Sequence, residues 1–507
     1  MSVPFGEELT SLDDIVYSSY SRNDISKLVE QNQSLPVTVQ SLEVTGANAV
    51  RTSFLKAQVA PIVDGAHTLP SLLEALGESA SRLQRFGIFD QAKFSLDLAD
   101  PLFSNVDAAA DTSAQPAATT GAAKLGTPLD IKALLSVNRT NKTPISLRTV
   151  IQDDVAGVVA NGALTNIFGG AESLTVQAAI DTKPRALSSY TANFATPLNG
   201  SPDFQAHLSA FNQTKDVAPY APYSVQLKGV SAKVISASPR FPGSAVEVGV
   251  EGVERTVAAA DAAEQSPANV KTSVFARFAV DRRNNKVYPS DGYLIEGQTE
   301  LAGVVGNTEK LVKSDVAFLK TAAAASYAKS LDPGRDRLVF NLHLGTGLLW
   351  NYPRGGNVAS NILDRFYLGG KASGPQALLY GYQYNGLGPK DGQTALGGDA
   401  YTLGSVSFLG KLPRLSGSLS PLRFLVFFSG GSLIPAVTDA ASGGAPSLVD
   451  TLKQLRATAA STSAGAGLVY RSQQAQLELV YAVPLNSKPE DFVRRGLQFN
   501  VGLELDL

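Results

Sequence analysis

The last eleven residues set the pattern for most of this chain. Leu497, Phe499, Val501, Leu503, Leu505 and Leu507 alternate with Gln498, Asn500, Gly502, Glu504 and Asp506. A period of two held over that length describes a strand with one apolar and one polar face. Leu174, Val176, Ala178 and Ile180 interleave in the same way with Thr175, Gln177, Ala179 and Asp181, as do Val246, Val248 and Val250 with Glu247, Gly249 and Glu251. Phe340, Leu342 and Leu344 follow the rule, and so do Leu477, Leu479, Tyr481 and Val483. Such segments begin near residues 145, 155, 171, 185, 203, 223, 244, 271, 292, 311, 336, 397, 423, 457, 474 and 497.

The number of segments separates two architectures. A soluble sandwich also alternates, but one sandwich seldom holds so many strands. Tilted strands of ~9–11 residues cross a hydrocarbon core, and an even antiparallel set closes without an unpaired edge. Residues 145–507 are therefore expected to form a transmembrane β-barrel of about 16 antiparallel strands. Its polar faces would line a wet lumen that tolerates Arg277, Asp281 and Glu504. Trp350, Tyr352, Phe366 and Tyr367, near strand ends, suit interfacial aromatic belts.

The N-terminal quarter reads differently. Residues 1–35 are a polar arm. From Pro36, Val37, Val39, Leu42 and Val44 give a strand ending at Gly46, and Phe54, Leu55, Val59, Ile62 and Val63 give a helix from about Thr52. Thr68 can cap a second helix with Pro70 in its first turn, and Leu69, Leu72, Leu73, Leu76, Ala80 and Leu83 form its stripe. Strands over Ile88 to Leu98 and Leu129 to Val137 flank a small, polar spacer at 105–126. Residues 36–140 thus predict a small α+β domain, whose sheet edge could accept an added strand.

Composition narrows the function. Charged residues are 17% and hydrophobic residues 44%, yet no apolar run approaches a membrane helix. The 45 Gly and 27 Pro are poor material for long helices. Lys+Arg 43 against Asp+Glu 45 leaves a formal charge of −2, which gives nucleic acid no electrostatic footing. With no Cys, and with His67, His207 and His343 scattered, neither thiolate chemistry nor a metal cluster is expected. GSVSFLGKL, residues 404–412, has the wrong spacing for a phosphate loop and ends in Leu412 where a Ser or Thr would bind magnesium. No GxSxG elbow occurs. The expectation is no cofactor, no metal and no catalytic residue. The Asp153–Asp154 pair reads as a solvated hairpin turn, and His207 and His343 as ordinary lumen residues. The start lacks a basic n-region and an apolar h-region, so either the chain stays in the cytosol or its address lies within the fold.

One long connection, near 351–396, carries a more specific signal. Phe366 to Gly370 (FYLGG), Leu379 to Tyr382 (LYGY), Gly386 to Pro389 (GLGP) and Gly397 to Asp399 (GGD) resemble the inward-folded loop of the BamA-like outer-membrane-protein assembly family. The GLGPKDG and GGDA versions are most similar to its mitochondrial branch, in the sorting and assembly machinery. Asn166 to Glu172 (NIFGGAE) is similar to the family's first barrel hairpin, and Arg494 to Phe499 (RRGLQF) to its last strand. Residues 44–52 (VTGANAVRT) are similar to the opening of a polypeptide-transport-associated (POTRA) domain.

The resemblance implies an insertase for β-barrel precursors in the mitochondrial outer membrane, its POTRA-like domain in the intermembrane space. Implied partners are barrel precursors bearing a C-terminal strand signal, membrane lipid and metaxin-like accessory subunits. The gate strand would be Ile145, Ser146, Leu147, Arg148, Thr149, Val150 and Ile151, against Gly496, Phe499, Val501 and Leu503 of the last strand. Loop residues Gly369, Gly370, Leu379, Tyr380, Gly381 and Tyr382 would project inward. The family's loop tip carries an Arg where this chain has Tyr380, and Ser429 stands where relatives place its acidic partner. A neutral docking, with charge absent on both sides, is therefore expected. A passive metabolite or ion pore and a polypeptide secretion channel are the alternative functions.

Overall fold

The computed structural model describes residues 33–34, 36–63, 65, 67–98, 129–139, 144–152, 155–182, 187–216, 223–237, 241–259, 268–303, 314–332, 334–352, 360–370, 379–392, 394–413, 420–439, 445–472 and 474–506. The arm expected before residue 33, the spacer at 105–126 and the turn at Asp153–Asp154 lie outside the described residues. The chain divides into two units. One runs to Lys142 and takes in Asn166–Ala171; the other holds Thr143–Thr165 and Glu172–Leu507.

In the first unit, β1 (Pro36–Thr45), α1 (Thr52–Val63), β2 (His67–Thr68), α2 (Leu69–Arg85), β3 (Phe89–Leu98) and β4 (Leu129–Arg139) follow one another. The sheet order is β2-β1-β4-β3, with β1 and β4 parallel and β3 antiparallel to β4. The helices bury Leu55, Val59, Ile62, Leu72, Leu76 and Leu83 against Val37, Val39, Ile131, Ala133 and Leu135 of the sheet. Each such aliphatic side chain contributes roughly 1.5–3 kcal/mol. Helix α2 begins after Thr68, whose backbone N–H donates to Ser71 Oγ at 2.8 Å, and Pro70 occupies its first turn. Leu73, expected in the stripe, is exposed: it sits one residue past Leu72 and so about 100° round the helix from the buried face. Within this unit Arg51 N–H donates to the Gly169 carbonyl at 2.8 Å and Asn166 Nδ2 to the Ala49 carbonyl at 2.9 Å, which joins two of the sequence motifs.

The second unit is a closed antiparallel barrel. Its sixteen strands among the described residues are β5 (Ile145–Gln152), β6 (Val155–Thr165), β7 (Ser173–Asp181), β8 (Leu187–Pro197), β9 (Phe204–Asp216), β10 (Tyr223–Ser236), β11 (Ser244–Ala259), β12 (Asn269–Asp281), β13 (Asp291–Ala302), β14 (Phe318–Ser330), β15 (Leu338–Asn351), β18 (Ala400–Lys411), β19 (Leu422–Ile434), β22 (Ser461–Arg471), β23 (Ala475–Asn486) and β24 (Gly496–Asp506). The short strands β16 (Lys390–Asp391), β17 (Thr394–Ala395), β20 (Thr438–Asp439) and β21 (Ala445–Pro446) pair among themselves, outside the wall. Each barrel strand pairs with its neighbours in sequence, and β24 pairs with β5 to close the ring. Helix α3 (Leu448–Ala457) occupies ground where a strand was expected to begin near 457, because Leu448, Leu452 and Leu455 recur at helical spacing.

The faces separate as the alternation requires. Leu208, Val248, Phe278, Leu344, Phe428, Leu479 and Leu497 stand exposed on the outside, an apolar girdle that only hydrocarbon satisfies. Charges point inward and pair: Lys233 with Glu247 at 3.2 Å, Arg277 with Glu247 at 2.8 Å, and Lys271 with Glu300 at 2.6 Å. No helix among the described residues is long and apolar enough to cross a membrane.

Candidate functional site

The ring closes on a short seam. β24 and β5 face one another over seven residue pairs, from Asp506 opposite Ser146 to Asn500 opposite Gln152. Neighbours β10 and β11 pair from Tyr223–Ala259 through Ser236–Val246, fourteen pairs. No other barrel pairing among the described residues is as short as the seam. Here Leu147 lies opposite Leu505, Arg148 opposite Glu504, Thr149 opposite Leu503, Val150 opposite Gly502 and Ile151 opposite Val501. Ile145 lies on the exposed outer face, and Ser146 Oγ accepts from Asn161 Nδ2 of β6 at 3.3 Å. On its other side β24 pairs with β23, Gly496 opposite Ala482 and Phe499 opposite Leu479. The expected gate residues thus come together along one pairing, except Ile145, Gly496 and Phe499, which lie outside the seam's register.

The connection between β15 and β18 turns into the barrel. Leu368, Leu379, Tyr382 and Leu387 pack with Tyr401, Leu403 and Leu433, which are inward positions of β18 and β19. Bridges Leu368–Leu387 and Gly370–Leu379 fold the segment on itself. Gly369 has φ +116°, and a Cβ there would lie 2.6 Å from the Gly386 amide nitrogen. Only glycine allows that crossing of backbones.

Two sets of contacts hold the loop to the wall. Asp364 binds Arg255 of β11, whose Nη1 reaches its two carboxylate oxygens at 2.7 and 2.8 Å; both side chains are buried. Lys320 Nζ of β14 donates to the Asp364 carbonyl at 2.6 Å and lies 4.7 Å from the centre of the Phe366 ring. At the loop tip, Tyr382 hydroxyl reaches the carbonyls of Thr462 (3.0 Å) and Asn486 (2.6 Å). Gly381 accepts from Arg494 N–H at 2.8 Å, and Gln383 N–H donates to Phe492 at 2.9 Å. Asp491 gathers Ser461 Oγ at 2.5 Å, Lys488 N–H at 2.8 Å and Gly388 N–H at 3.2 Å. β11 is the seventh strand of the ring and β23 the fifteenth, so the loop braces opposite walls.

The tip tyrosine meets a charge after all. Tyr380 hydroxyl donates to Glu478 Oε2 at 3.2 Å, and its ring lies 5.0 Å from that of Phe427. Glu478, on the inner face of β23, also accepts from Arg471 Nη2 at 3.0 Å and Gln476 Nε2 at 2.8 Å. The expectation that charge is absent on both sides is therefore corrected: the carboxylate is present, but two strands away from the position read for it, and its cation comes from β22 rather than from the loop. Ser429, the expected docking residue, is buried and pairs with Ser463 at 3.0 Å. Burial, with the Glu478 carboxylate adding to it, pushes the Tyr380 phenol well above its usual range, so it stays a donor. Glu478, Arg471, Asp491, Arg255 and Asp364 were missed from sequence. The one signal for Glu478 was a carboxylate on a polar face with an Arg across the same hairpin.

Residues 166–505 match the model of the Omp85 superfamily domain. The chain is 25% identical over 491 residues to a SAM50-like protein of Schizosaccharomyces pombe, covering 95% of this chain and 93% of that one. It is 28% identical over 479 residues to the Bos taurus protein named Sorting and assembly machinery component 50 homolog, covering 92% and 90%. The crystal structure of BamA from Haemophilus ducreyi lacking POTRA domains 1–3 shares the fold, with a TM-score of 0.71 at 14% identity over 98% of each chain.

Proposed function

The chain belongs to the Omp85 superfamily, and from that membership we propose that it folds and inserts β-barrel precursors into the mitochondrial outer membrane by strand addition at the β5–β24 seam. The coarser part, a role in barrel assembly and insertion, is supported by relatives named for the sorting and assembly machinery and by a BamA-like barrel. The seam carries the rest. Backbone groups parted within a bilayer find no water, so a strand that replaces the lost partner is strongly favoured. A precursor's C-terminal strand adds to residues 145–152 by β-augmentation. No covalent chemistry is involved. The unit at 36–140 is POTRA-like, faces the intermembrane space and hands clients on, its edge strand β3 offering a pairing surface. Metaxin-like subunits complete the assembly.

The test is a reversible lock. Thr149 and Leu503 face each other, and facing residues of an antiparallel pair lie within the ~7 Å that a disulfide spans. With Thr149→Cys and Leu503→Cys, in a chain that has no other Cys, oxidation should stop client insertion and reductant should restore it. A passive pore would conduct normally and a secretion channel would still export with the bridge in place. Insertion at the reduced rate while the bridge is intact refutes the gate. Crosslinks between a radiolabelled precursor and positions 145–152 provide the direct readout.

A further inference from the structure

Helix α3 lies in the connection between β19 and β22, at the barrel end that also holds the β15–β18 loop, since both follow odd-numbered strands of the ring. It is built in, with Ser447 capping it: Ser447 Oγ accepts from Asp450 N–H at 3.3 Å. Thr451 Oγ1 accepts from Val437 N–H at 3.0 Å and donates to the Ser447 carbonyl at 2.7 Å.

The wall it covers is the outer one. On β15, β18 and β19 the exposed apolar residues Leu344, Trp350, Phe408, Val426 and Phe428 all have even numbers. Leu348, Ala400 and Ile434 share that parity and face one another in register, Leu348 with Ala400 and Ala400 with Ile434. They form one exterior row near the rim. Leu455 of α3 closes over this row, leaving Ala400 at 0%, Ile434 at 4% and Leu455 at 7% exposure. The helix therefore occupies a place that lipid takes elsewhere on the barrel.

Its remaining faces then sort by angle. At 100° per residue, Thr451 and Leu455 make the seam with the wall, Leu448 and Leu452 stand on one side of it, Gln454 and Asp450 on the other, and Val449 and Lys453 on the far face. Leu448, Val449 and Leu452 are 41%, 58% and 48% exposed. The outer row that α3 covers shares its parity with the lipid-facing girdle, and Trp350 is exposed two residues beyond Leu348 on β15.

We propose that α3 is an interfacial membrane helix that seats Leu448, Leu452 and Val449 among the lipid acyl chains at the rim of the barrel. Arg456, in the last turn and between Leu452 and Val449 in angle, runs its stem along this surface and keeps its guanidinium at headgroup level. Continuity with the girdle selects lipid as the occupant. The helix fixes the depth and tilt of the β15–β19 wall at the end where the inward loop is rooted.

The full chain, reconstituted with lipid alone, can be labelled at single cysteines because none occurs naturally. Nitroxide placed by Leu452→Cys and Val449→Cys should be relaxed preferentially by oxygen, and by Gln454→Cys preferentially by a water-soluble nickel chelate. Phe428→Cys, on the girdle, sets the lipid reference. These are exposed positions, and heat-modifiable migration checks that each barrel is folded. Nickel-preferring relaxation at 449 and 452 with an oxygen-preferring 428 overturns the proposal. Protection of 449 and 452 that arises only in native membranes also overturns it, in favour of a protein partner on this face.

Discussion

The division of labour around Glu478 makes a quantitative prediction. Its carboxylate is 2% exposed and accepts from the Arg471 guanidinium, the Gln476 amide and the Tyr380 phenol. Removing the phenol by Tyr380→Phe deletes one hydrogen bond to a charged acceptor, worth ~1.5–3 kcal/mol. At 3.2 Å the lower end applies. Removing the cation by Arg471→Gln breaks the ion pair of a buried carboxylate, at about 3–5 kcal/mol. Arg471 is 29% exposed, which again favours the lower end. The expected order of stability is wild type, Tyr380→Phe, then Arg471→Gln, read as the temperature at which the fast-migrating folded band converts in SDS. Arg471→Gln combined with Tyr380→Arg should recover most of the loss, because a guanidinium again faces the acid, now from the loop. If Tyr380→Phe falls as far as Arg471→Gln, or if the double variant recovers nothing, the charge of Glu478 is not balanced from β22 as argued.

Asp364→Asn and Arg255→Gln should each destabilise by about 3–5 kcal/mol and the pair together by less than their sum, since each single change strands a buried charge; a double-mutant cycle on the same gel assay checks this. Gly381→Ala should cost about 1–2 kcal/mol, because Gly381 has φ +90° and its Cβ would lie 3.1 Å from Ser463 Cβ; limited proteolysis of the loop is the readout. Lys390 is lowered to about 8, chiefly by burial and against the pull of Asp491 and Glu490. It should therefore acylate faster than ordinary lysines at pH 8, as peptide mapping would show. Since the unfolded chain binds this proton more tightly, the folded state gains stability as pH rises from about 8 towards about 10.4.

The strands were legible because a two-residue period survives any loop around it, and because sixteen such segments leave little architecture but a closed ring. The helices of the first unit were legible from stripes such as Leu72, Leu76 and Leu83, and from Thr68 ahead of Pro70. Helix α3 was not, because the helix that carries its Leu448–Leu452–Leu455 stripe is only ten residues long and ends just before an alternating strand takes over. The loop announced itself by its glycines and aromatics, but its partners did not. Asp364 meets a residue 109 positions away, and Tyr380 one 98 positions away. Pairings at that separation depend on which strands lie across the lumen. Once β11 and β23 are known to stand eight strands apart in a ring of sixteen, a loop rooted between β15 and β18 has to reach both.

The length of the seam decides what kind of opening the proposed mechanism permits. Each facing pair of an antiparallel ladder carries on average one backbone hydrogen bond, worth ~4–6 kcal/mol where no water replaces it. Seven pairs then hold β5 to β24 by on the order of 30–40 kcal/mol in hydrocarbon, and the fourteen pairs between β10 and β11 hold by about twice that. Spontaneous parting of even the shorter seam is out of reach of thermal energy. Exchange is not, because a client strand that pairs with β5 one residue at a time restores each bond as it is broken. The cost is then confined to the few residues at the moving junction, and a short, weakly apolar β5 keeps the final release of the client small. In the proposed mechanism, bracing of the neighbouring strand β23 by the loop, through Tyr380 and Tyr382, would hold one lip of the seam in place while the other exchanges partners.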